Sequence, residues 1–295
     1  MLPQCLKFAF ALTFCFQVTE QNHRADNRVL FVEDLSAAVA DDTRTTYLDL
    51  LREVFPGAGD GGEGAPAGPR RLRLRNLERP REVNARDGSF EFSTAQALWF
   101  VHGGEHLLAL VVSARHAAES QTGGGEEFNV LAVFAPQSYP RLVDAAEVDF
   151  DRFIGFWEES PLLPVSRGET AFWLRASHHN SSEGFHSYYL AELRRDGRLR
   201  LALAEPFGLM DVKLCGSETD ETLKVVGERG AFAGRRVFDL RVRTETRPTD
   251  DDCEGQRPVR RRVAVRNYRL RWDARRQTYL TSLANSRRAA QRRRS

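Results

Sequence analysis

The sequence predicts a mainly β protein with one amphipathic helix near its N-terminus, and three features lead to this prediction. Segments in which apolar and polar residues alternate recur between residues 70 and 272. Glycine-rich or Asp-Gly turn signals separate many of these segments, and only one early stretch shows apolar residues at helical spacing. Alternating strands pair into antiparallel sheets. We therefore expect a sandwich or a curved open sheet, with a partial propeller-like β fold as the alternative.

The helix is predicted between residues 41 and 55. Asp41, Asp42 and Thr43 offer an N-cap, and Pro56-Gly57 ends the pattern. Apolar residues recur at the spacing of one helical face: Tyr47, Leu48, Leu50, Leu51, Val54 and Phe55. A helix of this span has about four turns, and its apolar face needs a sheet or another helix to cover it.

Residues 57–69 separate the helix from the strands. They consist almost entirely of Gly, Ala, Pro, Asp and Glu. Such a segment cannot bury enough apolar surface to order itself, so we predict a flexible loop here.

Two kinds of strand are expected after residue 70. Strict alternation predicts strands with one face in water at residues 71–75, 90–92, 241–243, 262–266 and 268–272. The continuously apolar segments 107–112 and 130–134 are predicted to be central strands that are covered on both faces. Turns are expected at Gly103-Gly104 and at Asp196-Gly197, because a tight turn favours residues that accept a positive φ.

The N-terminus has the pattern of a signal peptide. Residues 8–18 are almost all apolar, follow Lys7 and precede a polar stretch. We predict a signal peptide over residues 1–24, a single β-rich domain over residues 25–284 and a basic disordered tail over residues 285–295. The mature chain then has no transmembrane span and is secreted or periplasmic. The alternative is an intracellular protein whose apolar N-terminus packs onto the domain.

Cys215 and Cys253 remain after the predicted leader. Each lies in a polar, acidic segment, and the two can form one disulfide in an oxidising compartment. Closing a loop of this length would contribute about 3–4 kcal/mol in the chain-entropy model. The alternative is a pair of free thiols. A zinc site is not indicated, because the sequence has no CxxC pair.

The charge balance bears on possible partners. The chain carries 43 Lys and Arg residues against 41 Asp and Glu residues, a net charge of +2. This balance argues against a nucleic-acid-binding domain. The arginine-rich end at 287–294 keeps nucleic acid as an alternative partner, and a solvated tail is the simpler interpretation.

One segment combines several side chains that can bind a metal. His178 and His179 follow an apolar strand, and Glu183 and His186 come shortly after Asn180-Ser181-Ser182. A transition-metal site normally needs three protein ligands. These four residues are therefore the candidates for a divalent metal. The alternative is a polar loop without a metal, because the spacing matches no established motif.

Other motifs are missing or ambiguous. The sequence has no nucleophile elbow, no cysteine activated by a neighbouring histidine and no phosphate-binding loop. Carboxylates between residues 144 and 159 alternate with aromatic residues, which is how a sugar-cleaving site can be furnished. The same pattern also suits an amphipathic element that covers a core.

The sequence does not identify a ligand or a cofactor. The first hypothesis is an exported, non-enzymatic binding or envelope-associated protein that needs no cofactor. The second is a secreted hydrolase of a polymer or an ester, assisted by a divalent metal on His178, His179, Glu183 or His186.

Overall fold

The computed structural model describes residues 28–30, 34–39, 44–56, 58, 67–116, 127–136, 140–148, 153–179, 183–214, 216–249 and 260–283. These residues form one helix, α1 (Tyr47–Val54), and the following strands: β1 (Arg28–Leu30), β2 (Ala67–Asn76), β3 (Val83–His102), β4 (Glu105–His116), β5 (Glu127–Pro136), β6 (Pro140–Val148), β7 (Phe153–Phe156), β8 (Leu162–Ser166), β9 (Glu169–His179), β10 (Glu183–Leu193), β11 (Leu199–Leu201), β12 (Phe207–Leu214), β13 (Ser217–Phe232), β14 (Arg235–Pro248), β15 (Arg262–Asp273) and β16 (Thr278–Leu283).

The strands form two sheets. The first has six strands in the order β1-β3-β2-β6-β5-β4, and the long strand β3 also pairs with β4. The second has ten strands, with the path β16-β15-β14-β13-β12-β10-β9-β7; β11 pairs with β10, and β8 pairs with β9. Nearly all pairings are antiparallel, and β2 with β6 is a parallel exception. The predicted β class is confirmed, as two large sheets rather than the blades of a propeller.

The two sheets pack face to face over a shared core. Alternate residues of β4 and β5, such as Val111 and Val133, meet Phe172, Leu174 and Tyr189 of the second sheet. The remaining residues of β4 and β5 point to the opposite face, where α1 covers them. Both strands are therefore buried on both faces, as their continuously apolar sequences predict.

Helix α1 is shorter than the sequence suggests. Thr46 is its N-cap, and the Thr46 and Asp49 side chains accept hydrogen bonds from each other's backbone N–H groups in a capping box. The helix has eight residues, so the expectation of about four turns is wrong. Its amphipathic character is confirmed, since Tyr47, Leu50, Leu51 and Val54 are buried.

The second sheet curves around a core of its own. Trp173 and Leu190, near one end of the strand order, share this core with Leu240 and Trp272 from the other end. Tyr279 of β16 closes the curve, because its backbone N–H donates to the Ala202 carbonyl at 2.6 Å. The sheet thus encloses apolar side chains on one face and packs against the first sheet on the other.

Polar cross-links fix one sheet relative to the other. Asp144 of β6 accepts from the Leu199 backbone N–H at 2.7 Å and from Arg75 Nη2 at 2.7 Å. Gln96 Oε1 of β3 accepts from the Phe156 backbone N–H at 2.6 Å. A buried acceptor that loses such a donor pays a desolvation cost, so these contacts define the relative position of the sheets.

The two predicted turns are confirmed. Gly103 and Gly104 join β3 to β4 with positive φ angles of 61° and 89°. In the turn between β10 and β11, Gly197 has a φ of 77° and donates its N–H to the Arg194 carbonyl at 2.9 Å. Strand β2 begins at Ala67, so the last three residues of the predicted 57–69 loop belong to a strand.

Several predictions concern residues outside the described ranges. They are the signal peptide over 1–24, the basic tail over 285–295, the Cys215 and Cys253 pair, and most of the 57–69 loop. These stay predictions. Among the described residues, no helix has the length and apolar character needed to cross a membrane.

Candidate functional site

A groove of about 710 Å³ opens where the two sheets separate beside the edge strand β7. One wall comes from the first sheet and includes Thr94, Gln96 and Glu127. The other wall comes from β7, β9, β10, β12 and β13 of the second sheet. Because both walls consist of paired strands, the groove is fixed by the sandwich itself.

Carboxylates dominate the charge of the groove. Its described lining residues include six carboxylates, Glu127, Glu158, Glu159, Asp211, Asp220 and Glu221, and one arginine, Arg175. Asp220 pairs with Arg247. Glu158 and Glu159 are exposed, and no ion pair is found for them within the described residues. The groove therefore carries a negative potential that favours cations.

Aromatic side chains form part of the same lining. Trp157 and Tyr188 are mostly buried and meet edge to face, with ring centroids 5.3 Å apart. Phe153 lies directly opposite Ser177 in the β7–β9 pair and is 61% exposed. A large apolar side chain held in water on a paired strand is available to contact a ligand.

A serine, a histidine and an aspartate are linked along one side of the groove. Ser177 Oγ lies 3.0 Å from His186 Nδ1, and His186 Nε2 lies 2.7 Å from Asp211 Oδ2. A carboxylate only accepts, so the proton of the neutral ring resides on Nε2 and points to Asp211. Nδ1 is then the acceptor of the ring, and it faces both the Ser177 hydroxyl and the Arg175 Nη2 donor at 3.0 Å. Ser177 and Asp211 line the groove, whereas the His186 side chain is 3% exposed.

Strand register creates this arrangement. Ser177 of β9 and His186 of β10 are directly paired, so their side chains share one face. On the next strand His186 faces Leu209, and Asp211 lies two residues further along the same face. Three adjacent strands thus contribute one residue each to a continuous chain of hydrogen bonds.

Arg175 is the cation beside this chain. It lies two residues before Ser177 on the same face of β9. Its Nη2 atom is 3.0 Å from His186 Nδ1 and 3.1 Å from Nε2, so it is not directed at one ring nitrogen alone. Arg175 Nε is buried and has no hydrogen-bond partner among the described residues.

The surroundings keep His186 neutral. Burial lowers the pKa of His186, and the Arg175 guanidinium lowers it further. The hydrogen bond and the charge of Asp211 raise this pKa but do not reverse the shift. The imidazole therefore remains an acceptor near neutral pH, which is the state that a general base needs.

The metal-site candidates divide between the two faces of the hairpin. His179 and His186 share one face, with ring centroids 5.2 Å apart. His178 is paired with Phe185, which places it on the opposite face together with Glu183. Within the described residues, no group of three or more His, Cys, Asp or Glu side chains could hold a metal ion. The metal site stays a prediction, and the described strands do not bring its four residues together.

The His179 ring explains a glycine on the neighbouring strand. Gly184 lies directly opposite His179, and a Cβ atom at this position would be 2.8 Å from His179 Nδ1. The ring therefore occupies the space of a side chain at position 184. A side chain at position 184 would displace the His179 ring from its place beside His186.

Sequence reasoning identified part of this site. It singled out His186 as a metal ligand and the segment containing Glu158 and Glu159, but it did not identify Ser177, Asp211 or Arg175. The spacing of nine residues between Ser177 and His186 fits a hairpin, and this register was the available signal. Asp211 could not be found in this way, because β10 and β12 are not joined by a short turn.

A comparison with protein-family models, curated proteins and solved structures finds no match for this chain. We therefore infer the function from the geometry of the groove.

Proposed function

We propose that this protein is an exported binding protein that holds a small, cationic and partly apolar molecule in the groove between its two sheets. The observation that carries the proposal is the pairing of carboxylates with aromatic surface inside one groove of about 710 Å³. Ligand sites commonly have this size. The proposal requires no cofactor.

Charge supports the cationic part of the ligand. Glu158 and Glu159 follow β7, and Glu221 lies on β13 in the lining of the same groove. Glu221 is held in place, since its carboxylate accepts from the Met210 backbone N–H at 3.2 Å and from Thr244 Oγ1 at 2.8 Å. A cation bound in the groove would therefore be attracted by carboxylates that come from different parts of the second sheet.

Aromatic surface supports the apolar part. Phe153 is exposed beside Ser177, and the Trp157 and Tyr188 rings lie in the lining of the same groove. An organic ammonium gains from contact with aromatic faces by about 0.5–2 kcal/mol per contact, depending on desolvation. An aryl-alkyl ammonium satisfies both the carboxylates and the rings.

The ligand test compares benzyltrimethylammonium with neutral benzyl alcohol by isothermal titration calorimetry. We expect the cation to bind more tightly and to lose affinity as salt is added. Glu158→Gln combined with Glu159→Gln should weaken binding of the cation about tenfold, or about 1.4 kcal/mol. The matched control is Glu105→Gln combined with Glu205→Gln, which removes two exposed carboxylates that do not line the groove. Equal binding of the cation and the alcohol would contradict the proposal.

Export is the second part of the proposal, and it is supported by the apolar run at residues 8–18 after Lys7. Mass spectrometry of the protein from its native cell tests it. Export predicts a mature N-terminus between about residues 18 and 28 and a disulfide between Cys215 and Cys253. Retention of Met1 with free thiols would instead favour an intracellular protein, and nucleic acid would become the first partner to examine.

The second candidate function is a secreted hydrolase. The specific observation that favours it is the Ser177, His186 and Asp211 chain in the groove. The metal-assisted form of this hypothesis is tested separately by metal analysis of the native protein and by His178→Ala and His179→Ala. Absence of bound metal together with unchanged activity of both variants would remove the metal-assisted form.

A further inference from the structure

We infer that Ser177, His186 and Asp211 form a nucleophilic triad, and that the groove hydrolyses esters whose alcohol portion is cationic. The substrate class rests on the proposed binding of cations, whereas the chemistry rests on the triad alone. The two can therefore fail separately, and the experiments below distinguish them.

The triad has the geometry that serine activation requires. The hydroxyl and the base are 3.0 Å apart, and the base is oriented by a carboxylate at 2.7 Å on its other ring nitrogen. Nucleophile, base and orienting group within hydrogen-bonding distance are the features by which such sites are recognised. In this protein Nδ1 faces the serine and Nε2 faces the aspartate. A neutral imidazole carries its proton on one ring nitrogen and accepts on the other, so Nδ1 can be the base when Nε2 carries the proton.

The serine of the triad is accessible from the groove, whereas its base is buried. Ser177 lines the groove, so an ester bound there can reach Oγ. The His186 side chain is 3% exposed, and its ring is surrounded by Ser177, Asp211, Arg175 and His179. Substrate therefore meets the hydroxyl, while the ring that takes its proton is shielded from bulk water.

The reaction balances without a metal or a redox partner. Ser177 Oγ forms a bond to the ester carbonyl carbon as its proton passes to His186 Nδ1. The carbon–oxygen bond to the alcohol then breaks, and His186 returns the proton to the leaving oxygen. Water next attacks the acyl-serine and gives its proton to His186, which passes it to Ser177 Oγ as the acid leaves. Asp211 accepts from Nε2 throughout and stabilises the imidazolium form.

Arg175 is placed to act on the same reaction. Its guanidinium lies next to His186 and two residues from Ser177 on one strand face. A cation on the same strand face as the nucleophile can stabilise the negative charge that develops on the carbonyl oxygen. It also disfavours premature protonation of His186, because two neighbouring positive charges repel each other.

The direct test is labelling by a fluorophosphonate probe, which forms a bond to an activated serine oxygen and releases fluoride. We expect one label per chain on Ser177, located by peptide mass spectrometry, and none in Ser177→Ala. The matched control is Ser187→Ala, because Ser187 is on the neighbouring strand but faces the other side of the sheet. Labelling of Ser187→Ala should equal that of the wild type. Absence of labelling in the wild type, or equal labelling of Ser177→Ala, would overturn the triad.

The kinetic test compares acetylcholine with its neutral isostere 3,3-dimethylbutyl acetate. We expect hydrolysis of both, with a kcat/KM at least tenfold higher for the cationic ester, and its loss in Ser177→Ala. Asp211→Asn should lower kcat on the order of 10⁴-fold, because an amide favours the wrong ring tautomer. A structural role alone would leave kcat unchanged once the variant is folded. Its folded fraction is checked by circular dichroism, and an unchanged kcat in folded Asp211→Asn would overturn the role of Asp211.

The pattern of results separates this inference from the binding proposal. If Ser177→Ala binds benzyltrimethylammonium like the wild type and the wild type hydrolyses neither ester, the triad is overturned and cation binding stands. If 3,3-dimethylbutyl acetate is hydrolysed through Ser177 while the cationic ester has no advantage, the triad stands and the substrate class is overturned.

Discussion

Two buried clusters of polar side chains in the second sheet differ in their access to solvent. The closed cluster consists of Glu192, Arg200 and Arg235 beside Trp272. The open cluster consists of Ser177, His186 and Asp211 beside Arg175. Both contain arginine, both include a side chain that is almost fully buried, and both join several strands.

In the closed cluster, the partners satisfy one another. Glu192 is 1% exposed, and its two oxygens accept from Arg200 Nε at 2.7 Å and from Arg235 Nη1 at 2.8 Å. Both guanidinium groups also lie over the Trp272 ring, at 5.3 Å and 4.6 Å from its centroid. The carboxylate is inaccessible and both arginines are engaged with it, so the cluster serves to join β10, β11 and β14.

In the open cluster, the chain of hydrogen bonds reaches the groove. The Asp211 side chain is 36% exposed, and Ser177 lines the groove beside exposed Phe153. Burial of a titratable group therefore does not by itself indicate function in this protein. The informative feature is a buried base whose hydrogen-bond partners face an accessible cavity.

The largest expected effect comes from breaking the closed cluster. Glu192→Ala leaves two partly buried arginines without their shared carboxylate, so we expect the free energy of unfolding to fall by about 3 kcal/mol, the lower end of the range for a broken buried pair. Urea denaturation measures the change. Glu105→Ala, at the exposed first position of β4, is the control and should change stability by less than about 0.5 kcal/mol. A loss below 1 kcal/mol for Glu192→Ala would show that the cluster behaves like a surface ion pair.

Asp211→Ala applies the same change to the open cluster and should cost less. Water in the groove can replace the carboxylate, so we expect a loss of about 1–2 kcal/mol, the cost of imperfectly replacing its hydrogen bonds from His186 and from the Glu221 backbone N–H. Urea denaturation of both alanine variants in one buffer gives the comparison. A loss as large as that of Glu192→Ala would mean that the open cluster is closed to water.

The two clusters also differ in how far they could be foreseen. Alternation and turn signals predict strands β9, β10, β14 and β15, because side-chain period and local turn chemistry are properties of short segments. The Asp196-Gly197 turn also predicts the β10–β11 hairpin that places Arg200 opposite Glu192, but no local signal predicts that β12 shares this edge of β10 and brings Asp211 to His186. Pairing between strands that no short turn connects is decided by the packing of the whole sheet. The sequence therefore indicated His186 but not its partners.

The metal hypothesis shows the same limit from the other direction. Clustering of His178, His179, Glu183 and His186 in sequence suggested convergence in space. Alternation along β9 and β10 instead sends His178 and Glu183 to one face and His179 and His186 to the other. The register between β9 and β10, which the sequence alone does not specify, determines which of these residues meet.

Acidification should weaken the fold through the open cluster. His186 has a pKa below that of an unfolded-state histidine, so the unfolded chain binds the proton more readily. The stabilising contribution is present above the unfolded pKa of about 6.5 and is lost as pH falls toward the folded pKa. Arg175 and His179 oppose protonation, and Asp211 favours it.

The measurement is the urea midpoint at pH 7.5 and at pH 5.5, for the wild type and for His186→Gln. We expect the midpoint of the wild type to drop more on acidification than that of the variant. Burial also lowers the pKa of His102, so a smaller drop should persist in His186→Gln. An identical drop in both proteins would show that His186 is not the group that senses pH.

The smallest expected effect on stability concerns Phe153, where a substitution should change ligand binding much more than the free energy of unfolding. Phe153 is 61% exposed, so Phe153→Ser should change the free energy of unfolding by less than about 0.5 kcal/mol. The same variant removes aromatic surface beside Ser177, and the Kd for benzyltrimethylammonium should rise severalfold. Phe185→Ser is the matched control, because Phe185 is 40% exposed on the opposite face of the hairpin. If Phe185→Ser weakened binding as much as Phe153→Ser, the ligand would not bind in the groove on the face of the sheet that carries Phe153.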